Sequence, residues 1–383
     1  MKLKINKNLS VYLMLAGYLL IQLANPFDLN GLVSLGTYVI AFAAVFAFLY
    51  SLFGETRANI EESLYAKNVI IMVLILCFAA ISLVYANMLS WKSTVSLICF
   101  LEIPFFIIAY SKMDSKEIKT AIYITAIILS AFYIYLSFSP IAYRYVNEFG
   151  AGNIKDLTLG YNNPNETAMH LFACFVVLGI IFKDMENKIF KFAILLDFLF
   201  CFWLIIKTAS RTMIVLSVLV LLYTLIYTPK VMKKGYIVFA LAMPVLFILI
   251  SLLFPNVNFM GEVLDTDRTS IFARVFQNMN VFTFLFGNYN FEFDNLHNAY
   301  ISIFGTLGFV GIILYISLLF NSLKDSILKN GKIGKNIAKL GILVMIISTS
   351  TEAAMLTAGS AFAAPVISVY LLSMYNNVEV SKK

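Results

Sequence analysis

Ten apolar runs, nearly free of charge, follow one another along this chain and leave it few ways to fold. They fall near 9–24, 31–53, 68–89, 93–110, 120–139, 165–182, 189–206, 210–228, 236–254 and 298–320. A helix needs about 20 apolar residues to cross the hydrocarbon core of a bilayer, so each run predicts one span. The last run, 338–375, is too long for a single crossing, and Gly359 and Pro365 divide it into two short helices. The expectation is an all-α polytopic membrane protein of about twelve transmembrane helices, forming a single integral membrane domain over residues 1–383. No polar stretch is long enough to bury a core of its own. With 13% charged and 61% hydrophobic residues, the solvent of this chain is lipid. Lys2, Lys4 and Lys7 before Leu9 resemble the start of a signal peptide. No small-residue cleavage site follows, so the segment reads as a retained first helix.

A net charge of +7 raises the question of nucleic acid, and the placement of the charge answers it. If the N-terminus is cytoplasmic and the spans alternate, 21 of the 28 cations fall on the inner side. The positive-inside rule then predicts a multi-pass membrane protein with both termini cytoplasmic, and no nucleic-acid partner. Cys77, Cys99, Cys174 and Cys201 lie far apart inside apolar runs, without metal spacing, and read as packing residues.

Four of the five arginines fall outside (Arg144, Arg211, Arg268, Arg274), against three of 23 lysines. Topology needs only positive charge, whereas a guanidinium fork suits bidentate phosphate contacts. An anionic substrate at the outer face is one reading, and chance in a small sample is the other. Two long outer loops, 140–164 and 255–297, carry three of these arginines, all but Arg211. In the first, Arg144, Tyr161, Asn162 and Asn165 are candidate substrate contacts, although the Asn-Pro-Asn turn is equally explained as a helix cap.

In the second, Ile271, Phe272, Val275, Phe276, Met279 and Phe282 recur at helical spacing from Arg268, predicting one amphipathic helix at the interface. Arg268 projects from the middle of that stripe and needs an anionic partner, while Arg274 sits at its polar margin. Ser210 predicts an N-cap that puts Arg211 in the first turn of a helix, against both the helix dipole and the positive-inside bias. An anionic ligand explains it, as does snorkelling to headgroups. His297 opens the run at 298–320, where a helix N-terminus favours neutral imidazole, as a general base or as a cap. His170 lies within a span and reads as polar glue.

Leu296-His297-Asn298-Ala299-Tyr300, followed by Gly305, Gly308 and Gly311, resembles the His-Asn-x-Tyr…Gly-x-x-Gly signature of the O-antigen ligase and polymerase superfamily. Thr208-Ala209-Ser210-Arg211-Thr212 is similar to its Ser-Arg motif. Arg268 to Phe272, with Leu285-Phe286-Gly287, is similar to its arginine–aromatic–Phe-Gly stretch. The motifs keep their order over roughly residues 160–320. Phe272 stands where tryptophan is frequent, and Gly287-Asn288 where Gly-x-Gly is usual.

The resemblance implies a metal-independent, inverting glycosyltransferase of the bacterial inner (cytoplasmic) membrane, with a GT-C-like fold, no cofactor, and a periplasmic active site. Its donor would be a glycan on undecaprenyl diphosphate, in a Wzy-type O-antigen polymerase or in a ligase that transfers the glycan to lipid A–core. A chain-length regulator protein and membrane lipids would be its partners. Catalysis is expected from Arg211, Arg268 and His297, with Arg144, Tyr161, Asn162, Asn165, Arg274, Asn298 and Tyr300 binding substrate. A flippase for the same lipid is the rival from another class, and the absence of a visible internal repeat weighs against it. Glu102 and Asp197 inside spans, and Glu352 near the end of one, are further candidates without an assigned role.

Overall fold

The structure is a computed structural model. It describes residues 8–53, 62–88, 90–109, 115–143, 157–161, 163–226, 234–253, 258–259, 262–263, 266–290, 298–328, 333–349 and 360–374. Among these the chain is helical, apart from two antiparallel two-residue strands, β1 (Asn258–Phe259) and β2 (Glu262–Val263).

The helices are α1 (Leu9–Ala24), α2 (Asn30–Phe53), α3 (Glu62–Tyr85), α4 (Trp91–Phe100), α5 (Glu102–Ala109), α6 (Ser115–Ser137), α7 (Pro164–Asp184) and α8 (Lys188–Lys207). They continue with α9 (Arg211–Leu225), α10 (Lys234–Leu253), α11 (Thr266–Gln277), α12 (Val281–Phe286), α13 (Ala299–Leu328), α14 (Ile333–Ser348) and α15 (Ser360–Met374). Seven of them are long and apolar enough to cross a membrane: α1, α2, α3, α6, α7, α8 and α13. The bent pair α4–α5 makes an eighth if it counts as one span. Parts of α9, α10, α14 and α15 are apolar but shorter.

Three expected spans differ in shape from their sequence pattern. The run 93–110 breaks between α4 and α5 with a bend of 56°. Pro104 has no N–H for the Phe100 carbonyl and its ring crowds that turn, so the first helix ends there. The long last run does divide in two, but Pro365 lies inside α15, near its start, rather than between the helices. Membrane helices tolerate such a proline where neighbouring groups make good the lost bond. The third is α13, which is interrupted at Gly308 (φ 73°, ψ −177°).

Cross-bundle contacts sort the helix ends into two sets. At one end Asn8 and Tyr12 reach Glu117, Lys119 pairs with Asp184, Tyr65 donates to the Ser51 carbonyl, and Asn321 donates to Asn68. At the other, Asn25 donates to Glu166, Leu157 N–H to the Lys207 carbonyl, Asn280 to the Tyr85 hydroxyl, and Ala299 N–H to the Thr349 carbonyl. Both expected long loops open from this second end, here termed the long-loop end. Arg211, which follows the Lys207 turn, belongs to it as well.

The interior is packed in two ways. Where helices cross closely, glycine replaces side chain: a Cβ on Gly36 would stand 2.7 Å from the Gly17 carbonyl oxygen, so α1 and α2 meet backbone to backbone. Around α7, the most enclosed span, aromatics fill the space, with Phe175 stacked on Phe198 at 4.2 Å. Cys174 and Cys201 are buried in this packing, Cys99 is buried between α2 and α4, and Cys77 is exposed on α3. Lys339, expected among the inner cations, is buried within α14.

Candidate functional site

The stretch from α11 to α13 is not the surface loop with a single amphipathic helix that the spacing predicts. The helix ends at Gln277. Asn280 then starts α12 with a reciprocal capping box: its side chain accepts from Thr283 N–H, and Thr283 Oγ1 accepts from its N–H. Phe282, expected on the first stripe, therefore belongs to a second helix. That helix descends along α3, from Phe282 beside Tyr85 (4.8 Å) to Phe286 beside Phe78 (5.5 Å). Seven residues of α3 separate the two levels, about 10 Å of helix rise.

The chain turns at the bottom of this dip. Gly287 and Gly308 both have positive φ and lie against each other's backbone. A Cβ on Gly287 would sit 2.2 Å from the Thr306 carbonyl oxygen, and one on Gly308 2.4 Å from that of Leu285. The break in α13 frees carbonyls at this depth, and both receive donors: Asn288 N–H reaches Gly305 at 2.8 Å and the Ser82 hydroxyl reaches Thr306 at 2.5 Å. Residues 278–290 thus form a re-entrant hairpin, and the carbonyls freed in α13 beside it are hydrogen-bonded within the protein, the condition for irregular chain in a membrane. The Phe-Gly motif and the Gly-x-x-Gly motif are the two faces of this one contact.

Each sequence-predicted site residue can now be placed. Arg211 is the first residue of α9 and exposed; Ser210 holds the N-cap position before it, as expected, but its side chain makes no capping bond among the described residues. Ala209 before it holds a positive φ of 54°, closing the tight turn from α8. Arg274 is exposed on α11. Arg268 stands one turn before Phe272 on the same face of α11, and that face is buried at Phe272 and Val275. The Arg268 side chain, and all of Arg144, Asn162, His297 and Glu352, lie outside the described residues.

Asn298 is a buried N-cap: its Oδ1 accepts from Tyr300 and Ile301 N–H (2.9 and 3.2 Å) and its Nδ2 donates to the Pro244 carbonyl at 3.4 Å. Its polar atoms are thus engaged in starting α13 and tying it to α10. Tyr300 is buried beside it, with a hydroxyl that has no hydrogen-bond partner among the described residues. Asn163 caps α7 as the Asn-Pro-Asn turn suggests, accepting from Asn165 N–H at 2.8 Å, and Asn165 is half-buried.

Tyr161 lies within the bundle rather than on an open loop surface. It is completely buried, and its hydroxyl donates to Gln22 Oε1 at 2.5 Å. Burial first, then neighbouring Tyr18 and the Glu166 carboxylate, push that hydroxyl well above the ordinary phenol range. It serves as a neutral donor.

Gln22 escaped the sequence reading, yet it is the hub of the cluster. Its Oε1 also accepts from Tyr133 at 2.9 Å, and its Nε2 faces His170 Nε2 at 3.2 Å. With both hydroxyls donating to the amide oxygen, the amide nitrogen must donate to His170. The ring proton then sits on Nδ1, directed at the Tyr18 oxygen 3.3 Å away. His170 is polar glue, as expected, and a polar residue inside an apolar run was the available signal for Gln22.

Among the described residues no three His, Cys, Asp or Glu side chains come together as metal ligands would. Comparison with protein-family models, with curated proteins and with solved structures returns no match.

Proposed function

We propose that this chain is a bacterial inner-membrane glycosyltransferase that polymerises undecaprenyl-diphosphate-linked repeat units into O-antigen or a related surface polysaccharide. In this reading the long-loop end is periplasmic, the short helices α9, α10, α14 and α15 also cross to give about twelve spans, and the fold is GT-C-like. The observation that carries it is Arg211. An exposed guanidinium in the first turn of a helix opposes the helix dipole, and it shares a bundle end with α11, which bears Arg268 and Arg274. The buried start of α13, directly after His297, opens at the same end.

The chemistry follows from the leaving group. As the sugar departs from the lipid diphosphate, charge gathers on phosphate oxygens, and guanidinium groups supply the compensating field. Each such contact is worth about 1.5–3 kcal/mol. His297 accepts the proton of the attacking hydroxyl, and Arg144 and Arg274 attract the anionic lipid to the site. A ligase for lipid A–core would use the same groups.

Arg211→Ala and Arg268→Ala should insert normally and abolish polymer ladders on a polysaccharide gel, with one repeat unit left per core. No sugar on the core would assign the ligase instead. Normal ladders in both variants would overturn the scheme.

A further inference from the structure

Between α2 and α4, at the long-loop end, lies an open crevice of about 510 Å³. Its lining is apolar: Tyr38, Phe42 and Val45 form one wall, Trp91 and Ile98 the other. Between the two helices, Ala41, Val95 and Cys99 form a small buried floor. The gap is built into the fold. The 56° break after α4 tilts it from α5, and the re-entrant hairpin holds it from behind, with Tyr289 donating to the Ser93 carbonyl at 3.0 Å. Large aromatics stand exposed at the opening, Trp91 at 74% and Phe42 at 63%.

We propose that this crevice is a lipid-binding site that takes the two acyl chains of one anionic glycerophospholipid from the leaflet at the long-loop end. The dimensions select the occupant. The lining runs from Trp91 to Ile98 and from Tyr38 to Val45, seven residue steps on each helix, or about 10 Å of rise. A volume of about 510 Å³ over that length gives a cross-section of about 50 Å². Carbon atoms in contact lie about 3.5–4.0 Å apart, so one extended hydrocarbon chain fills about 20 Å². Two chains fit side by side, whereas a single polyprenyl chain leaves much of the width empty.

The charge selects the headgroup. Lys92 follows Trp91 in the first turn of α4, is exposed, and has no acidic partner among the described residues. A cation there opposes the helix dipole and is relieved by a phosphate at the mouth of the crevice. Trp91 beside it has the amphipathic ring that favours the headgroup level. The assignment does not depend on the glycosyltransferase reading.

Native mass spectrometry of the full-length protein in mild detergent tests it, with phosphatidylglycerol, phosphatidylethanolamine and undecaprenyl phosphate offered together. The wild type should retain one phosphatidylglycerol. Val45→Trp, which fills the crevice, and Trp91→Ala, which removes a wall, should each lower retention about tenfold. Ile124→Trp, on an exposed face of α6, should leave it unchanged. Lys92→Gln should reduce the preference for phosphatidylglycerol over phosphatidylethanolamine about fivefold. Equal retention by Val45→Trp, Trp91→Ala and Ile124→Trp would overturn the site. Displacement of phosphatidylglycerol by undecaprenyl phosphate would overturn the diacyl occupant, and an unchanged preference in Lys92→Gln the role of the headgroup charge.

Discussion

Two regions of this bundle carry polar groups away from water, and they handle them in opposite ways. Around Gln22 the groups are side chains: one amide joins Tyr133, Tyr161 and His170, tying α1, α6 and α7 to the segment before α7. Around Gly308 they are backbone: carbonyls freed by a broken helix are met by Asn288 N–H and Ser82. The first arrangement depends on chemical identity, since each donor needs its acceptor. The second depends on the absence of a side chain, since two backbones approach closer than any Cβ allows. Lipid offers no substitute partner, so both must be complete within the protein.

The contrast has measurable consequences. Gly287→Ala and Gly308→Ala add a Cβ against rigid backbone at a positive φ, and each should destabilise by about 4 kcal/mol or more. Gly31→Ala and Gly235→Ala, where nothing lies within 4 Å of the added atom, should stay within about 0.5 kcal/mol. Thermal unfolding in detergent distinguishes the pairs, and equal midpoints would mean that the backbones do not meet as described.

Gln22→Leu leaves two hydroxyls and an imidazole without their shared partner, a loss of about 3 kcal/mol. Replacing most of the set with apolar residues (Gln22→Leu, His170→Leu, Tyr133→Phe, Tyr161→Phe) should recover most of it, because the Tyr18 hydroxyl is then the one group of the cluster left without its partner. A quadruple variant no more stable than the single one would show that the cluster is not the closed unit described. Ser82→Ala removes one donor from the Thr306 carbonyl and should cost about 1 kcal/mol. A larger loss would mean that the backbone hairpin leans on side chains more than its geometry indicates.

Much of this was legible beforehand. Apolar run length announces a membrane helix, because a bilayer has one thickness and a helix one rise per residue. The Asn163 helix start was readable for a similar reason, since a cap acts within three residues. The glycines and Phe286-Gly287 were visible as motifs, but their purpose was not. That Gly287 meets Gly308 requires two segments some twenty residues apart to fold on each other. The continuous stripe to Phe282 misled, because periodicity does not register that Asn280 and Thr283 satisfy each other's backbone and restart the helix.

Local rules thus settle what this chain is made of: apolar helices and their approximate limits. They act over a few residues and need no partner. Long-range contact settled the rest. Tyr161 looked like a loop residue until Gln22, 139 positions away, was found to hold its hydroxyl. Asn298 looked like a ligand group until the Pro244 carbonyl and the first turn of α13 were found to occupy it. A polar side chain declares what it can bond, and only the packed chain decides which partner it meets.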